Sequence, residues 1–402
     1  MSTVASYHAR FDDDVAAVVA ALTASNTGFR ERLEAAGIDS AKVSTVADLD
    51  QLPILSKDEV IELQRAAPPF GGLLSEGATL RRVFQSPGPL YEPEPAVSDP
   101  WRFAGALSAA GIGANDVVLN AFGYHLSPAG AMFDEACAAV GATVLPAGVG
   151  NKDLQVQACQ DLGVTAYIGP PSYLKALLER ADEIGVPSSV RIERAFVSAE
   201  PLPSSLRTWL TQRVPVVRQG YGTAEAGSLA YECDQLDGMH VAEDALVQVC
   251  DLSSGAAVED EREGQVVVTL RRTDYAVVRF GTGDLSAWTP GACPCGRTTP
   301  RLRGLLGRVG AAVKVRGMFL HPHQVEQVVL GVDGVADYRM TIDRVEHQDI
   351  VQCQVVANGS NGLVAERVGR AIRDGLRFAC EVTVVPSLPR DVARFVDHRT
   401  WD

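Results

Sequence analysis

The sequence has no long apolar run and no basic cluster, and each absence argues against a class of protein. No stretch of its 402 residues reaches the roughly 18 apolar residues that a membrane-spanning helix needs. The formal net charge is -14, and no run of Lys or Arg is interleaved with aromatic residues, which argues against binding to nucleic acid or an anionic membrane. The N-terminal residues lack the basic and apolar regions of a signal peptide, so we expect a soluble, cytoplasmic protein.

Cysteine is also too sparse for a disulfide framework, with eight residues in the chain. Five of them lie in apolar or helical surroundings and are interpreted as small core residues: Cys137, Cys159, Cys250, Cys353 and Cys380. The other three form a C-x6-H…C-x-C set with one histidine, namely Cys233, His240, Cys293 and Cys295. Four such ligands are typical of a tetrahedral, structural Zn2+ site without an open position for catalysis. The alternative is that these are free, reactive thiols in turns.

Strands and helices alternate from Asp116 onward, which predicts parallel βαβ units in an α/β protein. The predicted strands cover 117–122, 142–146, 166–169 and 194–198, and the predicted helices cover 129–140, 152–162 and 172–184. Ligands of such sheets bind at the carboxyl ends of the strands. Four loops would then share one functional edge, at 123–127, 169–173, 198–201 and 220–223.

The parts that flank this α/β region have different patterns. The first 70 residues predict helices, with Ser56 and Glu59 forming a capping box. After Tyr231, short segments at 246–250, 265–270 and 275–280 predict an antiparallel barrel or sheet, and residues 325–385 predict a small α+β domain. A stretch rich in Gly and Arg at 304–317 fits a hinge, which places the domains at 1–306 and 307–402.

The stretch at 219–225, Gln-Gly-Tyr-Gly-Thr-Ala-Glu, follows a β-branched run and suggests a nucleotide site. A strand that ends in a Gly-X-Gly loop exposes backbone amides, a hydroxyl and a carboxylate together, a combination that suits a phosphate and its metal. The alternative is a tight glycine turn between two core strands.

Several ordered motifs resemble the phenylacetate–CoA ligases of the adenylate-forming superfamily. They include Phe280-Gly-Thr-Gly-Asp-Leu, Pro294-Cys-Gly-Arg, Lys314-Val-Arg-Gly, Ser198-Ala-Glu-Pro and Tyr221-Gly-Thr-Ala-Glu, and the likeness runs from about Asn26 to about Arg399. The resemblance implies an adenylate-forming enzyme fold of the α/β class. A large N-terminal domain with a β subdomain would bind the acyl group and nucleotide, and a small, mobile α+β C-terminal lid would rotate near residues 307–311. Family members join ATP to a carboxylate, release pyrophosphate and pass the acyl group to coenzyme A.

The same resemblance implies roles for individual residues. The nucleotide would be bound by Ser198, Ala199, Glu200 and Pro201 around the adenine, Tyr221 stacked on it, Gly222 and Thr223 beside it, Asp284 at the ribose hydroxyls and Arg308 near the hinge. Glu225 would hold Mg2+ for catalysis. The acyl pocket would be lined by Tyr124, His125 and Gly222, and His125 is the candidate catalytic base.

Three departures from the family pattern concern ATP. The family's phosphate loop is rich in Ser, Thr and Gly and ends in Lys, whereas residues 85–94 contain three prolines and the acids Glu92 and Glu94. Ala224 replaces a phosphate-contacting Thr. No Lys follows Lys314, although the family has a C-terminal Lys, and Arg394 is the available cation. All three departures affect attack on the α-phosphate.

We therefore interpret the protein as an enzyme that acts on an aromatic acyl group already linked to coenzyme A or to carrier-protein phosphopantetheine, with ATP-dependent adenylation lost. Acyl transfer, cyclisation and thioester hydrolysis are the candidate reactions. One alternative is a genuine aryl acid–coenzyme A ligase that depends on ATP and Mg2+, and another is a non-catalytic protein that binds an acyl carrier protein. The expected small molecule is an aryl acid or acyl thioester, and the resemblance implies a homodimer.

Overall fold

A computed structural model describes residues 3–86, 89–186, 190–309, 313–315, 318–320, 322–346, 348–358, 363–389 and 393–399. The chain forms two compact units, Met1–Val309 and Gly310–Asp402. Residues 310 and 311 of the predicted hinge lie outside the described residues. No helix in the described ranges combines the length and the apolar character needed to cross a membrane.

The first unit begins with four helices, α1 (Thr3–Ala9), α2 (Asp12–Ser25), α3 (Thr27–Ala35) and α4 (Lys57–Ala66). The apolar residues of α2 recur at three- and four-residue intervals and are buried: Val15, Val18, Val19 and Leu22. Helix α4 begins with the predicted capping box, because the Ser56 amide donates to the Glu59 carboxylate and the Glu59 amide donates to the Ser56 hydroxyl. A hairpin of β1 (Leu80–Ser86) and β2 (Leu90–Pro95) and the short helix α5 (Ala104–Ala109) follow.

A nine-stranded mixed sheet forms the centre of this unit. Its parallel part contains β3 (Val117–Asn120), β4 (Thr143–Pro146), β5 (Ala166–Gly169), β6 (Arg194–Val197) and β7 (Val216–Thr223). The helices α6 (Ala129–Val140), α7 (Lys152–Leu162), α8 (Pro171–Glu183) and α9 (Ser204–Thr211) connect these strands. The sheet continues antiparallel from β7 through β8 (Gly227–Glu232) and β9 (Met239–Val241). The predicted α/β organisation is therefore confirmed.

A second, antiparallel sheet has the order β11-β10-β12-β13-β16. Its strands are β10 (Ala245–Cys250), β11 (Ala257–Val258), β12 (Gly264–Leu270), β13 (Phe280–Ser286) and β16 (Gly307–Arg308), whereas β14 (Trp288–Thr289) and β15 (Arg301–Leu302) extend the first sheet. The predicted strand at 275–280 is wrong. Residues 275–279 form no regular strand, and Arg279 adopts a φ of 49°, which interrupts extended backbone before β13.

The second unit is a small α+β domain. Its four-stranded sheet contains β19 (Val335–Val345), β20 (Gln348–Ala357), β21 (Glu381–Val384) and β22 (Phe395–Asp397) in the order β21-β20-β19-β22. The strands β17 (Val313–Val315) and β18 (Met318–Leu320) pair separately, and α10 (Pro322–Leu330) and α11 (Val364–Leu376) complete the unit. The roles predicted for the two domains, as ligand-binding domain and lid, stay predictions.

Candidate functional site

Hydrogen bonds join residues at the carboxyl edge of the parallel strands. The Ser198 hydroxyl donates to the Gly220 carbonyl at 2.8 Å, and the Gln219 amide side chain donates to the Glu200 carbonyl at 3.4 Å. The Ser172 amide donates to the Glu200 carboxylate at 3.4 Å. Ala199 lies between them with a φ of 70°, and Pro201 follows half-buried. The residues predicted around an adenine are thus collected at one edge.

Residues 220–223 belong to β7 rather than to a loop, so that part of the prediction is wrong. They pair with β8, and the turn follows at residues 224–226. Close packing explains both glycines, since a Cβ at Gly220 would lie 2.1 Å from the Phe196 ring and one at Gly222 would lie 2.5 Å from the Gly227 carbonyl. Within the turn, the Thr223 hydroxyl accepts from the Ala226 amide at 3.1 Å.

Asp284 contacts two other predicted nucleotide residues, Tyr221 and Arg308. The Tyr221 hydroxyl donates to Asp284 Oδ2 at 2.9 Å, and the Arg308 guanidinium lies 3.5 Å from Asp284 Oδ1. Arg308 also donates to the Thr282 carbonyl at 3.2 Å. Burial raises the pKa of Tyr221 and lowers the pKa of Arg308, so each group is held by its neighbours in a desolvated site. The Tyr221 ring is buried, and its stacking on adenine stays a prediction.

Glu225, the predicted Mg2+ ligand, forms a buried ion pair that the sequence analysis missed. Its Oε1 atom lies 2.6 Å from Lys57 Nζ, at the start of α4. Burial, the largest single influence, acts to raise the pKa of Glu225, but the adjacent Lys57 ammonium and the hydrogen bonds that the carboxylate accepts, one of them from Thr223, together lower it. The sequence offered only a weak signal for Lys57, because a cation at a helix N-terminus is disfavoured by about 0.3–1 kcal/mol and this does not identify its partner.

The two acids of the β1–β2 hairpin do not present free negative charge. Glu94 is fully buried and pairs with Arg82 at 3.2 Å. Glu92 is buried and accepts a hydrogen bond from the Ser86 hydroxyl at 3.0 Å. Burial, with the nearby Glu225 charge, raises the pKa of Glu92 to about 8, so Glu92 is mostly protonated at neutral pH. The repulsion that the sequence predicted toward a triphosphate is therefore largely removed.

Replacing Glu92 by Gln is expected to change the pH dependence of stability. The pKa of Glu92 is about 8 in the folded protein, whereas its ordinary value is 4.5. Between these two pH values the folded protein retains a proton on Glu92 that the unfolded chain has lost. Wild-type stability should fall as pH rises from about 5 to about 8, by an amount on the order of 3 kcal/mol, and the Gln variant should lack this loss. Urea unfolding at several pH values measures the difference.

The control for that experiment is Glu62→Gln, which removes an exposed carboxylate of the same helix that carries Lys57. It should leave the pH dependence as in the wild type. Parallel pH curves for the wild type and Glu92→Gln would mean that Glu92 is ionised in the folded protein.

The predicted acyl-pocket residues Tyr124 and His125 follow β3 but differ in their surroundings. The Tyr124 hydroxyl donates to Asp134 at 2.8 Å and accepts from the Asn120 side chain at 2.9 Å, and its ring packs on Gly130. His125 is exposed. Tyr124 is thus held against α6, whereas the His125 side chain is exposed. The role of His125 as a catalytic base stays a prediction.

Arg394, the cation expected to replace the family's C-terminal Lys, forms ion pairs within the second unit. Its Nε atom lies 2.9 Å from Asp337, and a terminal nitrogen contacts Glu326. In this arrangement its charge is compensated by acids of its own unit.

The four predicted metal ligands, Cys233, His240, Cys293 and Cys295, form one cluster, with all four ligand atoms within 4.8 Å of one another. The Cys233 and Cys293 sulfurs are 3.7 Å apart, and Cys295 Sγ lies 3.3 Å from His240 Nε2. Tetrahedral Zn2+ bonds imply separations of about 3.8 Å between sulfurs and about 3.6 Å between sulfur and nitrogen. The residues therefore fit a metal ion.

The second nitrogen of His240 is also engaged as a metal ligand requires. Its Nδ1 atom lies 2.9 Å from the Thr299 carbonyl, which fixes the ring and leaves Nε2 facing the three sulfurs. Cys233 follows β8, His240 lies in β9, and the two other cysteines lie between β14 and β15. A bound metal would fasten these segments together.

Comparison with known proteins identifies related enzymes. A family model described as AMP-binding enzyme matches residues 129–271. The chain is 29% identical to a phenylacetate-coenzyme A ligase of Thermus thermophilus, over 89% of this chain and 87% of that protein. It is 25% identical to the phenylacetate-coenzyme A ligase of Escherichia coli, over 81% of this chain and 77% of that protein.

A solved structure shares the fold over nearly the whole chain. It is a 2-hydroxyisobutyryl-CoA ligase in complex with 2-HIB-AMP and CoA, with a TM-score of 0.89 and 23% identity, covering 98% of this chain and 90% of that chain. The predicted adenylate-forming fold is thereby confirmed.

Proposed function

We propose that the protein is an ATP-dependent ligase of an aromatic acid and coenzyme A, because residues 129–271 match the AMP-binding enzyme family and distant phenylacetate-coenzyme A ligase homologues match most of the chain. The observation that carries this proposal is the arrangement of Glu225, Asp284 and Arg308. Asp284 holds Arg308, and the Glu225 charge also acts on Arg308. The carboxylates proposed for the metal and for the ribose and the guanidinium proposed for the nucleotide would therefore share one site.

The proposed reaction has two steps. A carboxylate oxygen of the acid attacks the α-phosphorus of ATP, the bond to the bridging oxygen breaks, and pyrophosphate leaves. The thiol of coenzyme A then attacks the acyl carbonyl, loses its proton and displaces AMP. Charge develops on phosphate oxygens in the first step, and fixed cations stabilise such charge. Glu225 is the residue that fits Mg2+, which neutralises phosphate charge when bound.

Acyl transfer, cyclisation or hydrolysis of a preformed thioester is the second candidate function. The observations that favour it are Ala224, whose side chain packs against an aromatic core cluster, and the absence of Lys after Lys314. The neutralised hairpin acids and the ligase homologues favour ATP-dependent activation instead. Binding of a carrier protein and formation of a homodimer stay predictions.

Pyrophosphate release tests the proposal. The protein, ATP, Mg2+ and coenzyme A are combined with a panel of aryl acids and short hydroxy acids. At least one acid should release pyrophosphate and AMP in equal amounts and yield its coenzyme A thioester. Absence of ATP binding in calorimetry, together with turnover of an acyl thioester without ATP, would reverse the assignment in favour of the second candidate.

We also infer that the cluster of Cys233, His240, Cys293 and Cys295 holds a structural Zn2+. Three thiolates and one imidazole are a donor set that zinc favours, and four protein ligands leave no position for a substrate. The cluster would then stabilise the β8–β9 and β14–β15 connections and take no part in the ligase reaction.

A further inference from the structure

Lys57 occupies a position that is unfavourable for a lysine. It is the first residue of α4, where the helix dipole repels a cation, and only 10% of its side chain is exposed. A buried ammonium needs a close anion, and Glu225 lies 2.6 Å away. Lys57 is therefore held beside the carboxylate that the family resemblance assigns to the metal of ATP.

The start of α4 is fixed to the strand that carries Asp284. The Leu55 amide donates to the Arg279 carbonyl at 2.8 Å, and the Leu55 carbonyl accepts from the Gly281 amide at 2.9 Å. These two bonds form a parallel bridge at the beginning of β13. Lys57, two residues later, is thereby positioned relative to the proposed ribose carboxylate.

The end of α4 is fixed to the hairpin that replaces the phosphate loop. The Gln64 side chain donates to the Tyr91 carbonyl at 2.9 Å and accepts from the Tyr91 amide at 2.8 Å. The Lys57 charge acts on Glu92, the next residue of β2, and opposes the rise of its pKa. Helix α4 thus connects the proposed ribose site to the hairpin in which the sequence lacks a phosphate-binding lysine.

Arg272 acts on the charge of Glu92 and Arg308 on that of Glu225, and each of these arginines is bound to a carboxylate. Arg272 donates two hydrogen bonds to Asp274, and Arg308 pairs with Asp284. Lys57 differs because its partner, Glu225, is a candidate metal ligand. Coordination of a metal by Glu225 would compete with this ion pair, and phosphate oxygens would then replace Glu225 as an anionic partner of Lys57.

On the basis of the proposed ligase function, we propose that Lys57 binds the phosphate chain of ATP and replaces the lysine that residues 85–94 lack. Glu225 and Lys57 then exchange partners when the nucleotide binds: Glu225 turns to the metal and Lys57 to phosphate oxygens. The Lys57 ammonium suits a polyphosphate, because a charged donor forms strong hydrogen bonds with phosphate oxygens.

Calorimetry with metal-free ATP tests Lys57 without leaving a buried carboxylate unpaired. The two proteins compared are Glu225→Gln and the double variant Glu225→Gln with Lys57→Met, both as the full chain in the presence of a chelator. The double variant should bind ATP about 10- to 100-fold more weakly, since it loses a charged hydrogen bond, whereas adenosine affinity should be equal in both. A double variant with Lys57→Arg should retain most of the ATP affinity.

A matched surface pair provides the control. Lys175 lies 2.5 Å from Glu179 on α8, so Glu179→Gln is compared with Glu179→Gln plus Lys175→Met, and ATP affinity should not change. Equal ATP affinity in the two site variants would overturn the role of Lys57, and so would an equal loss of adenosine affinity. If the wild type releases pyrophosphate while these variants bind ATP equally, only the Lys57 proposal fails. If the wild type binds no ATP with Mg2+, both proposals fail.

Discussion

Replacing Cys293 by Ser is expected to abolish zinc binding and to lower the melting temperature of the protein. The wild type should contain about one Zn2+ per chain and the variant close to none, because a hydroxyl is a poor substitute for a thiolate ligand. Loss of the ion removes a link between β8–β9 and β14–β15 and leaves three polar ligands buried or half-buried without a metal. We expect the melting temperature to fall by about 5–10 °C.

Zinc content is measured by elemental analysis and the melting temperature by calorimetry. Cys380→Ser is the matched control, since Cys380 lies in the second unit and is not one of the four cluster residues. This variant should keep its zinc. A wild-type protein without zinc, purified without chelator, would disprove the metal site. A Cys293→Ser variant that keeps its zinc would exclude Cys293 as a ligand.

Replacing Asp284 by Asn should reduce nucleotide binding strongly. The Asp284 carboxylate accepts from Tyr221 and pairs with Arg308, and it is buried, so loss of its charge weakens both contacts in a desolvated site. The variant also loses the charged acceptor proposed for ribose hydroxyls. We expect AMP affinity to fall about 10- to 100-fold and acid-dependent pyrophosphate release to fall at least as much.

Asp260→Asn is the corresponding control, because Asp260 is an exposed acid paired with Arg262. It should leave AMP affinity unchanged. AMP affinity that is the same in Asp284→Asn and in the wild type would show that Asp284 does not contact the nucleotide.

Local sequence patterns were sufficient for much of the α/β region. The helix at Lys152–Leu162 and the strand at Ala166–Gly169 have the predicted bounds, because short apolar strands and amphipathic helices there are separated by glycine or polar residues. The predicted strand at 275–280 failed because residues 275–279 contribute an isolated bridge and no regular strand. Tyr275 pairs antiparallel with Leu74, and the Ala276 amide donates to the Leu73 carbonyl, a partner that lies far away in the sequence and that no local pattern reveals.

The site was predictable to the extent that its chemistry depends on residue type. The Cys and His ligands could be recognised from their spacing, because thiolates and imidazoles in that pattern have few other uses. The pairing of Lys57 with Glu225 could not be predicted, since it depends on a contact between two segments that are far apart in the sequence. The protonation of Glu92 could not be predicted either, because a sequence shows an acid but not the burial that raises its pKa.

The N-terminal helix has a consequence for the order of events during synthesis on the ribosome. The Tyr7 hydroxyl donates to the Ala245 carbonyl at 2.5 Å and accepts from the Val247 amide at 3.0 Å. At the usual rates of translation, the roughly 240 residues that separate these partners take about 12–48 s to be made. The apolar face of α1 therefore lacks its contact with β10 throughout that interval. A chaperone that covers exposed apolar helices would act on the nascent chain before the first unit can close.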